Sequence, residues 1–213
     1  MVEVVKRMAK QLSMSRVFDL AVGVGVIPES ATVDRRGRAT WSSGEFALVA
    51  TLERLSDGRL GWHFFVGDLK FGPAMSSFGG LSVAIDPAVD DAIDWPTVDD
   101  SVEYAEEFLH GGIGAAQGFV VDRLDLARLL ASESNVLRGN LTTWLPLSNF
   151  PARIVQALIL ARDLGSIELE AEIERKLRSG TLSLPGGREV DIASSAKRWA
   201  KQYAKALGRE VPV

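Results

Sequence analysis

Ser194-Ser195-Ala196-Lys197 has the S-x-x-K spacing that sets a nucleophilic serine one helical turn from an activating lysine, the arrangement of serine acyl-transfer enzymes. The companion S-D-N and K-T-G motifs are missing from the 213 residues, so helix capping by Ser194 or Ser195 explains these residues better. The two histidines, His63 and His110, are enough in number for a Ser-His-Asp relay, but no G-x-S-x-G elbow presents a serine. His63 alternates with Trp62 and Phe64, which puts it on the second face of a sheet, and His110 sits at a helix C-terminus, where the helix dipole favours it. "HGGIGAAQG" (110–118) has the glycines of a phosphate-cradling loop. Such a loop needs a strand before it and a helix after it, and here the order is reversed, so the stretch reads as a flexible loop.

The absence of cysteine removes disulfides, zinc–thiolate sites and thiol nucleophiles together, and two histidines in separate elements make a poor ligand set. The expectation is therefore a protein with no metal and no cofactor. "ALILARDLGSIELEAEIERKL" invites a helix-turn-helix reading, yet its second helix would carry Glu168, Glu170, Glu172 and Glu174 to a polyanion, which argues against direct nucleic-acid binding. The closing basic helix, with Lys197, Arg198, Lys201 and Lys205, docks Trp199 and Tyr203 and leaves its lysines in water.

One charge asymmetry remains. Residues 71–122 hold ten acidic side chains and no lysine or arginine, in a chain whose net charge is only −4. Nine of the ten lie in "DPAVDDAIDWPTVDDSVEYAEEF", residues 86–108. Asp90, Asp91, Asp94, Asp99, Asp100, Glu103, Glu106 and Glu107 are the candidate contact residues for a basic protein partner, because a single-sign surface steers association and raises on-rates. A divalent-ion loop would need the D-x-D-x-D-G pattern, which the segment lacks.

These residues must be held by an ordered fold. Hydrophobic residues at 46% and charged ones at 24% are the values of globular proteins. Residues 2–21 carry Val5, Met8, Leu12, Val17 and Leu20 near helical spacing and predict an amphipathic helix ended by Gly23 and Gly25. "EFALVATLERLSDGRLGWHFFVGDL" alternates on both sides of Asp57-Gly58, the strongest hairpin signal in the chain, and pairs residues 45–54 with 59–68. Phe46, Leu48, Trp62 and Phe64 are its expected buried residues. "GGLSVAID" (79–86) and "GFVVD" (118–122) read as further strands. Between them the acidic segment reads as two helices, one capped by Asp86 with Pro87 at its first position, the other capped by Thr97 and stopped by Gly111.

Residues 122–134 predict a short helix and 140–147 an extended segment. Two helices divided by Gly165, a small hairpin and a basic helix ending at Gly208 complete the chain. Strands early and helices late define an α+β fold: an N-terminal helix, an antiparallel sheet built on the 45–68 hairpin with helices packed on it, then a C-terminal helical part. The expected division is 1–148 for the α+β domain and 149–213 for a helical subdomain. The longest apolar stretch, Val17 to Pro28, holds Asp19 and falls short of the ~20 residues of a membrane span, and lacks the cleavage site of a secretory signal. A cytoplasmic protein-binding module of the immunity or antitoxin kind is the reading this gives; the alternative is a small-ligand-binding or hydrolytic enzyme whose site leaves no motif.

Overall fold

A computed structural model describes residues 11–35, 37–78, 80–89, 91–94, 96, 102–178, 180–183, 187 and 189–213. Helix α1 spans Met14–Gly23, with the Ser13 hydroxyl accepting the Arg16 N–H as its cap. Residues 11–13 are not helical, so the expected helix over 2–21 is corrected: it begins at Met14, and residues 1–10 lie outside the described residues. Val17, Phe18 and Ala21 form its buried stripe.

Five strands follow as a meander: β1 (Thr32–Val33), β2 (Arg38–Ser43), β3 (Phe46–Arg54), β4 (Leu60–Asp68) and β5 (Ser82–Pro87). The β3–β4 hairpin has the register the alternation predicts, from Phe46 opposite Asp68 to Arg54 opposite Leu60, with Gly58 at φ 89° in the turn. Leu48, Ala50, Leu52, Trp62, Phe64 and Val66 are buried on one face, while Phe46 is only half-buried. The other face carries Val49, Thr51, Glu53, His63 and Phe65, all half-buried.

The chain then forms α2 (Val102–Leu109), a π-helical turn at His110–Gly114, one helical turn α3 (Ala115–Gln117) and α4 (Arg123–Leu130). Strands β6 (Leu137–Arg138) and β7 (Leu141–Trp144) return to the sheet, giving an antiparallel order β1-β2-β3-β4-β5-β7-β6. Three expectations are corrected in this region. Asp86 and Pro87 do not open a helix but close β5 opposite Thr142 and Leu141, where a residue without an N–H is tolerated at a strand end. Gly111 does not stop α2, because the helical path continues through the π turn. Residues 118–122 are not a strand: Gly118 and Phe119 donate to the carbonyls of Ala115 and Ala116, and the Val121 N–H goes to the Asp125 carboxylate, so these three donors are turned away from any ladder. The Thr97 cap lies outside the described residues.

Helix α5 (Phe150–Asp163) is buried on nearly all sides, as a central helix of a packed layer must be. It packs on α4, α6 (Ile167–Arg178) and α7 (Ile192–Leu207). It crosses the end of the sheet where β5 begins and β7 ends: Gln156 donates to the Gly80 carbonyl and Arg153 to that of Leu145. Gly165 (φ 66°) turns the chain from α5 to α6, and a two-stranded ribbon, β8 (Thr181–Ser183) with β9 (Glu189–Asp191), precedes α7. Asp191, rather than Ser194 or Ser195, caps α7: its carboxylate accepts both the backbone N–H and the hydroxyl of Ser194. No helix among the described residues is long and apolar enough to cross a membrane.

Sheet and helices are joined by a buried ion network. Arg123, only 6% exposed, donates through Nε to Asp68 at 2.5 Å and through Nη1 to Asp163 at 2.8 Å, and Lys70 reaches Asp163 at 2.6 Å. Burial works against the Asp163 carboxylate, but the Lys70 and Arg123 hydrogen bonds outweigh it and hold its carboxyl below the ordinary range.

Candidate functional site

The acidic segment is strapped to the hairpin at its near end. Ile93 exchanges both backbone hydrogen bonds with Leu60, at 2.7 and 3.1 Å, and Arg59 donates to the Ala92 carbonyl. Asp91, half-buried, accepts the indole N–H of Trp62 at 3.1 Å, so it is fixed by the sheet rather than presented to solvent. The far end of the segment closes on the same indole, because the backbone of Gly112 packs directly against the Trp62 ring. Trp62 therefore ties the loop at 91–94 to the turn after α2. The need for that close approach explains a glycine at 112, and the expected flexible loop at 110–118 is instead an ordered π turn.

Asp94, Glu106 and Glu107 are exposed. Glu106 lies 4.0 Å from His110 across one helical turn. No cation of the described residues pairs with Asp94 or Glu107. Asp90, Asp99 and Asp100 lie outside the described residues, and Glu103 is placed only as a position on α2. The structure thus places Asp91 and Asp94 on the loop bonded to Leu60 and Glu106 and Glu107 on α2, and it separates Asp91 from the exposed set.

A second cluster, which the sequence reading missed, lies on the outer face of the sheet. His63 Nδ1 contacts Asp86 at 2.6 Å and Nε2 contacts Glu53 at 2.9 Å. Glu53 and Asp86 come from the two strands flanking β4, so ordinary cross-strand geometry assembles the trio. The Asp86 hydrogen bond, opposed by partial burial and helped by Glu53, raises the His63 pKa to about 9. At neutral pH the ring is an imidazolium with both nitrogens engaged, and it has no lone pair for base catalysis. A Ser-His-Asp relay requires one nitrogen free for the nucleophile, so this histidine serves as a charged cross-strand clamp. The carboxylates sit on opposite sides of the ring, and among the described residues no group is placed to hold a metal ion.

The outer face continues past Phe65 into two concavities. One, of about 610 Å³, lies over Val49, Phe65, Gly72 and Ser82. The other, of about 280 Å³, is walled by Phe65, Trp144, Trp199 and Tyr203 and closed by Arg153. No family model matches the chain, and no curated protein and no solved structure matches it either.

Proposed function

We propose that the protein is a binding module that engages a basic protein partner through its acidic segment. Among the described residues Asp94, Glu106 and Glu107 form the exposed part of the contact, and Asp90, Asp91, Asp99, Asp100 and Glu103 extend the same run of sequence. The observation that supports this is the concentration of negative charge, ten acidic side chains over residues 71–122 with no lysine or arginine among them. Asp57, Asp125, Glu170 and Glu172 each have an arginine or lysine partner within 3.2 Å, at Arg59, Arg138, Arg162 and Lys176. Among the described residues Asp94 and Glu107 have none, and residues 71–122 contain no lysine or arginine to offer.

Like charges kept together on one surface repel one another, and a complementary partner relieves that repulsion while gaining a faster encounter. A carboxylate run also competes with phosphates for a cationic cleft, so a basic nuclease, inhibited in the manner of an immunity protein's target, is the partner class whose chemistry fits best. The test compares wild type with an Asp94→Lys, Glu106→Lys, Glu107→Lys variant as immobilised baits in the same lysate. Retention of a basic protein by wild type and its loss from an equally folded variant is the expected result. Equal retention by both would remove the acidic segment from the contact.

A further inference from the structure

Arg123 and Arg153 are both 6% exposed, yet the protein treats them differently. Arg123 faces three carboxylates, Asp68 and Asp163 within 2.8 Å and Glu45 at 3.9 Å, and only its Nη2 is left without a hydrogen-bond partner. Arg153 has only neutral partners: Nη1 donates to the carbonyls of Leu130 at 3.0 Å and Ser132 at 2.9 Å, and Nη2 to that of Leu145 at 3.4 Å. Its Nε is buried without a hydrogen-bond partner, and no carboxylate of the described residues pairs with it. A buried cation is costly unless it is paired. Burial accordingly pushes its pKa down to about 10.

The unfilled side of this guanidinium is its Nε–Nη2 edge, with one vacant donor and one long bond. Two parallel N–H donors on one edge are the fork that receives a carboxylate in bidentate fashion. Arg153 and Leu145 both line the 280 Å³ hollow on the outer face of the sheet, and no acidic side chain lines it. Its walls are aromatic, from Phe65 on β4, Trp144 on β7, and Trp199 and Tyr203 on α7. Trp144 is 60% exposed at the mouth, where a large apolar ring in water gains by being covered. Gln156 is already committed, donating to the Gly80 carbonyl and to the Tyr203 hydroxyl, so it stiffens the wall between α5 and α7.

We propose that this hollow binds a small aromatic carboxylate, whose ring stacks between Trp144 and the α7 aromatics and whose carboxylate takes the Nε–Nη2 edge of Arg153, displacing the long bond to Leu145. The site is separate from the acidic segment, which is strapped to the opposite end of β4 at Leu60.

The experiment titrates the full chain with 2-naphthoate, with neutral 2-naphthamide and with non-aromatic cyclohexanecarboxylate, by calorimetry and by NMR shifts of the tryptophan indole N–H groups. Naphthoate should bind about 10–100-fold more tightly than the amide, the difference that a charge-assisted hydrogen bond supplies. It should exceed the non-aromatic acid as well, and should move the Trp144 and Trp199 signals. Trp144→Ala, at an exposed position, should keep the fold and weaken naphthoate binding about tenfold, near the upper end of what an aromatic pair contributes. Arg153→Gln should bind naphthoate and naphthamide alike; if that variant does not fold, Arg153→Lys, which keeps the charge but loses the fork, should narrow the preference. No binding, equal binding of acid and amide by wild type, or shifts confined to tryptophans outside the hollow would overturn the proposal.

Discussion

Gly111 and Gly112 are neighbours in the π turn after α2, and alanine should act on them with opposite signs. Neither has a positive φ, so backbone strain is not at issue. A Cβ on Gly111 meets nothing within 4 Å, whereas one on Gly112 would stand 2.6 Å from Nε1 and 2.8 Å from Cε2 of Trp62. Trp62 is 2% exposed and bonded to Asp91, so the indole cannot yield without losing that bond. Alanine in place of glycine in a helical segment contributes about 0.5–1 kcal/mol. Overpacking a filled core costs about 1–3 kcal/mol, and a weakened bond to a carboxylate adds to it. Gly111→Ala should therefore stabilise by about 0.5–1 kcal/mol, and Gly112→Ala should destabilise by about 1–3 kcal/mol net. At about 2–4 °C per kcal/mol for a chain of this size, the two melting temperatures should separate by several degrees. Urea unfolding of both variants is the assay, with Trp62→Phe/Gly112→Ala as the control in which the penalty shrinks. Shifts of the same sign, or a Gly112→Ala protein as stable as wild type, would refute the packing of this turn on Trp62.

Three further outcomes follow from the same structure. Asp68→Asn should cost about 3–5 kcal/mol in urea unfolding, because it leaves the buried Arg123 short of a counter-charge; a loss below about 1 kcal/mol, typical of exposed pairs, would contradict the network. The His63 clamp raises the folded pKa from 6.5 to about 9, so its stabilisation is complete below pH 6.5 and is lost as pH rises through about 9. With the ring about half-exposed the effect is about 1 kcal/mol after solvent screening; His63→Gln should abolish this pH dependence, and an NMR titration midpoint near 6.5 would contradict the clamp. Asp191→Ala should lower the melting temperature through the loss of a helix cap, while Ser195→Ala should leave it nearly unchanged; equal effects in thermal melts would put the cap elsewhere.

Local signals were legible where they agreed with the tertiary environment. The alternation around Asp57-Gly58 gave the β3–β4 register, and Gly165 and Gly208 marked the ends of α5 and α7. They misled where a distant partner decided the outcome. Asp86-Pro87 has the chemistry of a helix start, but β7, which pairs with it from more than fifty residues away, makes it a strand end. Phe119 and Val120 look like a strand and are buried in a connector whose Gly118, Phe119 and Val121 N–H groups go to helix-end turns and to Asp125. Of the candidate site, the charge run is a property of the sequence and was visible there. The His63 trio and the Arg153 hollow were not, because each assembles side chains from separate strands and helices, and no spacing along the chain encodes that meeting.

The most direct measurement of the proposed function is the association rate with a captured basic partner at about 0.1 M and about 1 M salt, between which the Debye length falls from ~10 to ~3 Å. If the acidic segment steers the encounter, the wild-type on-rate drops steeply across that range, and the Asp94→Lys, Glu106→Lys, Glu107→Lys variant starts slow and gains nothing from low salt. An on-rate that ignores both the salt and the charge reversal would show that the segment takes no part in binding.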